Sequence, residues 1–358
     1  MASIKKQPSG RWQARYYDSA GKQHARRFDR KVDAQRWLDE QTAALVAGTH
    51  VEPRTARQTV GHWCDTWMAG YASRSPLTVR QAGVHLRLIR QEFGSMPLSS
   101  VRPSTVNAWT ARLKAEGYAD SYVYATYRRF AQVMGDAVAD GIIPRSPCSR
   151  KTAPRTGGQR PYVATTEQVW QLYGAFPEGL RPAVLLGAFV GLRLSEAAAL
   201  RVSDVDFMRG IVSPAIQHPA RPLKSDTART PVPIPAELAL MLSAAVARTG
   251  AGVLVTDAIM RATTPWAVER AMRDVRGSVE GLPGGFRFHD LRHYFASLLI
   301  AAGLDVKVVQ ARLRHASAMT TLNTYGHLWP DSDESSRAAV ALALAAREDN
   351  PRTREVVD

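Results

Sequence analysis

The stretch Phe288-His-Asp-Leu-Arg-His-Tyr-Phe295 decides how the second half of this chain folds around its polar residues. His289 and Arg292 are three residues apart, so they share one face of a helix. The apolar positions that we expect to turn to the core are Leu291, Phe295 and Leu298. A guanidinium matches two phosphate oxygens at once, and an imidazole beside it can donate or carry a proton. The stretch therefore predicts a packed helix that presents a basic pair.

Two further basic residues precede this helix. Arg193 lies in Gly191-Leu-Arg-Leu-Ser-Glu196, directly after an apolar run, so it either caps a helix end or is presented from a rigid element into a cleft. Glu196, one turn later, is placed to hold the Arg193 guanidinium. Lys224 lies in a polar turn inside a β-like region, whose prolines favour edge strands or irregular loops.

Two more polar residues follow the helix. Leu313-Arg-His315 is followed ten residues later by Tyr325-Gly-His327. Every member of the resulting set except the tyrosine can donate a proton or carry positive charge, as a phosphodiester site requires. The set is Arg193, Lys224, His289, Arg292, His315 and Tyr325.

The composition points to a polyanionic partner. The chain has 358 residues, and 47 Lys and Arg against 32 Asp and Glu give a net charge of +15, spread along the whole chain. Such a charge suits DNA, although it is also compatible with a basic protein that is merely kept soluble. Cys64 and Cys148 are too few for a disulfide framework or a cysteine zinc site, so no metal is expected. We expect a soluble intracellular protein, since no apolar run is as long as a membrane span or resembles a signal peptide.

The first 57 residues predict a small sheet backed by a helix. Trp12, Ala14 and Tyr16 alternate with polar residues, a turn and a second strand at 23–28 follow, and a helix ends near Gly48. The exposed face carries Arg11 and Arg15, which suits a reader of the DNA major groove. A charged, solvated sheet face is the competing interpretation.

Residues 58–145 predict four helices, and residues 146–161 a basic linker. The helical aromatics recur at core spacing, while Arg128 and Arg129 lie beside the apolar stripe, within reach of a phosphate. The linker contains Arg150, Lys151 and Arg155 and no acidic residue, as expected of a tether that follows a nucleic-acid backbone.

Residues 162–358 predict a third, mostly helical domain. It begins with the capping-box pattern Thr165-Thr-Glu-Gln168 and ends with a helix from Asp331. Asp204 and Asp206 have the spacing of a metal dyad, but capping or turn roles fit their position better. Tyr294 lies in an apolar helical run and is expected to be packed. His218, His293 and His327 are taken as structural.

The order of these motifs resembles the tyrosine recombinase family of phage integrases. The resemblance covers residues 160–345 most strongly and rests on the Arg193, Lys224, His289, His315 and Tyr325 blocks. It implies a mainly α fold with small β-sheets (α+β). Its three parts would be an N-terminal three-stranded-sheet domain that binds arm-type DNA, a four-helix core-binding domain and a mixed, mostly helical catalytic domain.

The resemblance also implies a mechanism without cofactors. Tyr325 would attack the scissile phosphate and form a 3′-phosphotyrosyl enzyme, while Arg193 and Arg292 hold the non-bridging oxygens. Lys224 would protonate the leaving 5′-oxygen, with His289 and His315 as hydrogen-bond donors or proton carriers. One departure is Arg314, where the family commonly has glycine; it would alter the turn or add a phosphate contact, and it puts the geometry of His315 in question.

The expected partners also follow from the resemblance. They are double-stranded DNA with core-type and arm-type sites, three further copies in a homotetramer, a DNA-bending host factor and a directionality factor, all in the bacterial cytoplasm. A dimer-resolving recombinase or a catalytically inactive architectural relative are the alternatives. Whether Tyr325 acts in its own subunit stays open.

Overall fold

The computed structural model describes residues 2–18, 21–47, 58–157, 161–223, 225–249 and 252–329, together with residues 337, 340 and 341. It forms two compact units, Met1–Gly158 and Gln159–Asp358. Lys224 lies outside the described residues, as does most of the helix expected from Asp331. The division into three domains and a linker stays a prediction.

The N-terminal sheet has three antiparallel strands in the order β1 (Ser3–Lys6), β2 (Trp12–Tyr17) and β3 (Gln23–Phe28), and α1 (Lys31–Val46) packs on it. Ala14 and Tyr16 are buried with Ala34 and Leu38 of α1, as the alternation in β2 predicts. The sheet therefore buries one face and leaves its polar side chains on the other.

Four further helices follow in the first unit: α2 (Val60–Tyr71), α3 (Pro76–Phe93), α4 (Pro103–Ala115) and α5 (Asp120–Ala139). Ser75 caps α3 by accepting the Thr78 N–H, with proline in the first turn. Phe93 stacks on Phe130 with ring centroids 4.6 Å apart, so the aromatics of these helices form the core, as their spacing predicts.

The second unit is mostly helical. It contains α6 (Thr166–Ala175), α7 (Arg181–Phe189), α8 (Leu194–Ala197), α9 (Ala236–Thr249), α10 (Pro265–Val275), α11 (Phe288–Ala301), α12 (Val306–Leu313) and α13 (Ala318–Tyr325). The predicted capping box of Thr165 and Gln168 is present at α6. The proline-containing region forms only two-residue strands: β4 (Val205–Asp206), β5 (Ile211–Val212), β6 (Ile216–Gln217), β7 (Arg221–Pro222) and β8 (Val232–Pro233).

Helix α11 is the central element of this unit and packs closely on α7. A Cβ on Gly187 of α7 would lie 2.9 Å from the Phe288 ring and 3.1 Å from Leu291, so the two helices approach as closely as glycine allows. Leu291 and Phe295 are buried, but the expectation for Leu298 was wrong, since it is 41 % exposed. The end of α11 packs instead through Ala296 and Ile300 in a separate apolar cluster.

Candidate active site

Arg292 ties three segments of the second unit together. It is 1 % exposed, and its two terminal nitrogens donate to the carbonyl oxygens of Gly191, after α7, and Leu313, at the end of α12. Gly191 has φ +67°, and a Cβ there would collide with the Phe295 ring, so the turn requires glycine. Arg292 is therefore held rigidly, and two of its five N–H groups serve this purpose.

Arg193 directly precedes α8, and Glu196 of that helix holds it. Glu196 accepts the Arg193 backbone N–H at 2.9 Å and the Arg193 Nη1 at 3.0 Å. The Glu196 side chain is buried, whereas 40 % of the Arg193 side chain stays exposed. The arrangement orients a guanidinium that is still accessible to a ligand.

Arg314 is the second cation on Glu196. Its backbone has φ +53°, a left-handed conformation that glycine adopts easily, but its side chain is fully buried. Its Nη2 donates to Glu196 Oε2 at 2.6 Å and its Nη1 to the Ala228 carbonyl at 3.3 Å. Arg314 thus makes a buried ion pair, a role that the sequence did not indicate.

These contacts keep Glu196 ionised. Burial by itself would raise the pKa of the Glu196 carboxyl, but the charges of Arg314 and Arg193 and the Arg193 backbone N–H outweigh it, and the pKa lies below its usual value. Glu196 therefore stays charged at neutral pH and connects the segment before α8 with the end of α12.

Tyr325, the last residue of α13, points its hydroxyl at α11. It is 2 % exposed, and its Oη lies 2.7 Å from Nδ1 of His293. Burial raises the pKa of Tyr325 to about 12 despite the charge of Arg292, so the phenol keeps its proton. Tyr325 lies against the helices of its own chain.

His293 is the site residue that the sequence pattern did not identify. Burial, assisted by His289 and Arg292, lowers the pKa of His293 to about 4, so its ring is neutral at pH 7. The available signal was its spacing of four residues from His289, which places both imidazoles on one helical face. Their ring centroids are 4.9 Å apart.

The two histidines of the expected set lie close by. His315 Nδ1 is 2.9 Å from Thr321 Oγ1, and burial together with Arg292 and Arg193 lowers the pKa of His315 to about 4. His289 keeps an exposed surface, yet withdrawal of the rest of its ring from water and the charge of Arg292 lower its pKa too. Burial is the main cause of the lowered pKa of His289, Arg292 and His315, and the charge of Arg193 contributes to each shift.

The arginines expected to contact DNA from the first 57 residues have partners within the sheet. Arg11 Nε lies 2.9 Å from Asp29, with both side chains exposed, and Arg15 donates to Gln13 at 2.8 Å. The exposed ion pair of Arg11 contributes little stability.

The other expected DNA contacts differ in their environment. Arg128 is exposed, but Arg129 lies over the rings of Trp67 and Tyr71 and donates to the Tyr71 hydroxyl at 2.8 Å. These contacts hold the Arg129 side chain against α2. In the linker, all three expected contacts are exposed: Arg150, Lys151 and Arg155.

The remaining polar residues have structural contacts. Asp204 accepts the Arg201 N–H at 3.0 Å, and Asp206 accepts the Arg209 N–H at 2.9 Å, so both serve in turns. Tyr294 is buried and bonds Thr166 at 3.0 Å. Within the described ranges, no three His, Cys, Asp or Glu side chains are grouped as a metal site would need, and no helix is long and apolar enough to cross a membrane.

Two family models match the chain. The model of the phage integrase family matches residues 164–331, and that of the phage integrase N-terminal domain matches residues 2–47. A putative prophage phiRv2 integrase of Mycobacterium tuberculosis is 25 % identical, and the match covers 93 % of this chain and 93 % of that relative.

Solved structures share the fold. An integrase of the Tn1549 transposon, in complex with transposon right end DNA, superposes with a TM-score of 0.68 at 19 % identity, over 80 % of this chain and 100 % of that one. A lambda integrase tetramer bound to a Holliday junction gives a TM-score of 0.58 at 21 % identity, over 88 % of this chain and 96 % of the other.

Proposed function

Because this chain belongs to the phage integrase family of tyrosine recombinases, we propose that it is a site-specific DNA recombinase that cuts and rejoins strands through a covalent 3′-phosphotyrosyl intermediate. The observation that carries the proposal is a set of contacts that joins the segments of four groups: Arg193, Arg292, His315 and Tyr325. Arg292 donates to the carbonyls of Gly191 and Leu313, which lie two positions before Arg193 and His315. The Tyr325 hydroxyl bonds His293, the neighbour of Arg292. Each group comes from a different segment of the second unit.

The chemistry follows from the charges. Tyr325 Oη attacks the phosphorus, and the bond from phosphorus to the 5′-oxygen breaks. Arg193 and the free N–H groups of Arg292 stabilise the non-bridging oxygens; a preorganised donor of this kind is typically worth about 3 kcal/mol. Lys224 protonates the leaving 5′-oxygen, and His289 and His315 donate hydrogen bonds. One phosphodiester is exchanged for another, so the reaction needs no external energy source.

We assign the biological role from the relatives. The prophage integrase that is similar over almost the whole chain supports integration and excision of a phage or mobile element. The lambda tetramer supports a homotetramer on DNA, and the match of residues 2–47 supports arm-type DNA binding by the N-terminal sheet. A DNA-bending host factor and a directionality factor complete the assembly in the bacterial cytoplasm, where the DNA is.

A trapping experiment tests the proposal. Duplexes selected from a random library for tight binding to the full chain are nicked at successive positions, so that cleavage releases a short strand and leaves the protein attached. We expect a covalent adduct with the wild type and none with Tyr325→Phe. Tyr294→Phe is the matched control. Tyr294 is a buried tyrosine two positions after Arg292, but its hydroxyl bonds Thr166, so this variant should still form the adduct.

Two results would contradict the proposal. An adduct that persisted in Tyr325→Phe would remove Tyr325 as the nucleophile. Tight binding by the wild type without any adduct would favour a catalytically inactive architectural relative, the second candidate, against which the retained Arg193, Arg292, His315 and Tyr325 now argue.

A further inference from the structure

A short hydrogen bond joins the proposed nucleophile to an imidazole with no assigned role. Tyr325 Oη and His293 Nδ1 are 2.7 Å apart, and both groups are largely withdrawn from water. In the tautomer that carries the imidazole proton on Nε2, Nδ1 accepts this bond and the phenol donates it. The phenolic proton then points at a nitrogen with a free lone pair.

An acid on the same helix faces the other side of the ring. Asp290 Oδ1 lies 4.0 Å from His293 Nε2, and Asp290 Oδ2 accepts the Arg287 N–H at 2.7 Å. The carboxylate is thus anchored at the start of α11, at ion-pair distance from the nitrogen that carries the proton. It favours the tautomer in which Nδ1 accepts, and it stabilises the imidazolium once a second proton arrives.

We propose that His293 is the general base of this site, taking the phenolic proton of Tyr325 as Oη attacks the phosphorus, with Asp290 as the residue that positions it. The inference rests on the proposed recombinase function. The proton moves from Oη to Nδ1 while the bond from Oη to phosphorus forms and the bond to the 5′-oxygen breaks, and Lys224 supplies the proton to that oxygen. In the rejoining step His293 returns its proton to Oη.

The other histidines are placed less well for this role. His315 Nδ1 is directed at Thr321, and His289 packs the edge of its ring against His293. The charged or titratable groups around His293 are His289, Asp290, Arg292, His315 and Tyr325.

The electrostatics keep the proton on the tyrosine in the absence of DNA. Burial and the charge of Arg292 hold the pKa of His293 near 4, while burial holds that of Tyr325 near 12, so the proton stays on the phenol. A scissile phosphate bound by Arg193 and Arg292 places negative charge beside this cluster. His293 then accepts a proton more easily as the substrate arrives.

The test measures single-turnover cleavage by the full chain on the nicked duplex from pH 5 to 9. A second substrate has sulfur in place of the bridging 5′-oxygen, since a thiolate leaves without protonation. We expect His293→Ala to be slower by a factor of about 10² to 10⁴ on both substrates. Its rate should rise about tenfold per pH unit, because only the phenolate then reacts. Lys224→Ala should recover on the sulfur substrate, whereas His293→Ala should not.

Two variants control for structure. His293→Gln keeps an acceptor for the Tyr325 hydroxyl but cannot take its proton, so it should bind DNA normally and cleave slowly. His327→Ala removes an exposed histidine two residues after Tyr325 and should cleave like the wild type.

The outcomes separate the two proposals. A wild type that forms no adduct refutes the recombinase function itself. If the wild type reacts and His293→Gln cleaves within threefold of it with the same pH profile, the recombinase stands and His293 is not the base. Recovery of His293→Ala on the sulfur substrate would also overturn the inference, since His293 would then serve the leaving group.

Discussion

Replacing Glu196 by glutamine should destabilise the second unit more than replacing Arg314 by methionine. Removing one partner of a buried ion pair costs about 3–5 kcal/mol, because the other charge stays buried without compensation. In Glu196→Gln the fully buried Arg314 guanidinium loses its countercharge, and its other hydrogen bond, to the Ala228 carbonyl at 3.3 Å, is to a neutral group. In Arg314→Met, Glu196 keeps the Arg193 side chain at 3.0 Å and the Arg193 N–H at 2.9 Å.

These remaining contacts set the magnitudes. We expect a loss of about 5 kcal/mol for Glu196→Gln and of about 3 kcal/mol for Arg314→Met, the two ends of the range for a broken buried pair. The double variant leaves no buried charge unpaired and should lose less than the sum, with a coupling of about 2–3 kcal/mol. Arg314→Gly should be less harmful than Arg314→Ala, because glycine adopts the left-handed conformation at position 314 without the ~1–2 kcal/mol penalty of other residues.

The measurement must follow the second unit by itself, since a chain with two compact units need not unfold in one step. Urea unfolding of the full chain, read by hydrogen exchange in peptides from α7 and α11, provides this. Single variants that each cost less than about 1 kcal/mol, or a double variant equal to the sum, would refute a coupled buried pair.

Three further predictions concern pH, backbone and DNA. Burial lowers the pKa of His293 and His315 from 6.5 to about 4, so the folded chain binds fewer protons than the unfolded one between these values. The free energy of unfolding should therefore fall as pH drops from about 6.5 to 4. His315→Asn should flatten this pH dependence in urea titrations, and an unchanged dependence would contradict a lowered pKa of His315. Gly191→Ala should lower the melting temperature and slow adduct formation, since its methyl group collides with Phe295 and displaces the carbonyl that Arg292 bonds; wild-type values for both would contradict the packing. Replacing Arg150, Lys151 and Arg155 of the linker by glutamine should reduce the slope of log affinity against log salt concentration by about 0.9 per lost phosphate contact. An unaltered slope would exclude the linker from the DNA interface.

Local patterns in the sequence were sufficient for most of the elements. The helices between residues 60 and 139 begin and end within a few residues of the periodic segments, because capping residues such as Ser75 and glycines such as Gly94 act over a single turn. The same holds for the capping box at Thr165. The buried face of β2 follows from its alternation alone.

Expectations failed where distant segments decide the outcome. Leu298 has the spacing of a core residue, yet the end of α11 packs through its neighbours and leaves it exposed. The short strands between positions 205 and 233, by contrast, agree with the prolines of this region, which favour edge strands or irregular loops.

The family, the order of the motifs and the helices that carry them could be predicted from the sequence, since each of these depends on residues close together along the chain. Which polar groups meet depends on how the helices pack. Arg314 reaches Glu196 across 118 positions and Tyr325 reaches His293 across 32, and no periodicity encodes such contacts. They form because α11, α12 and α13 bury their apolar faces together, and this packing forces the remaining charged and hydroxyl groups to satisfy one another inside the site.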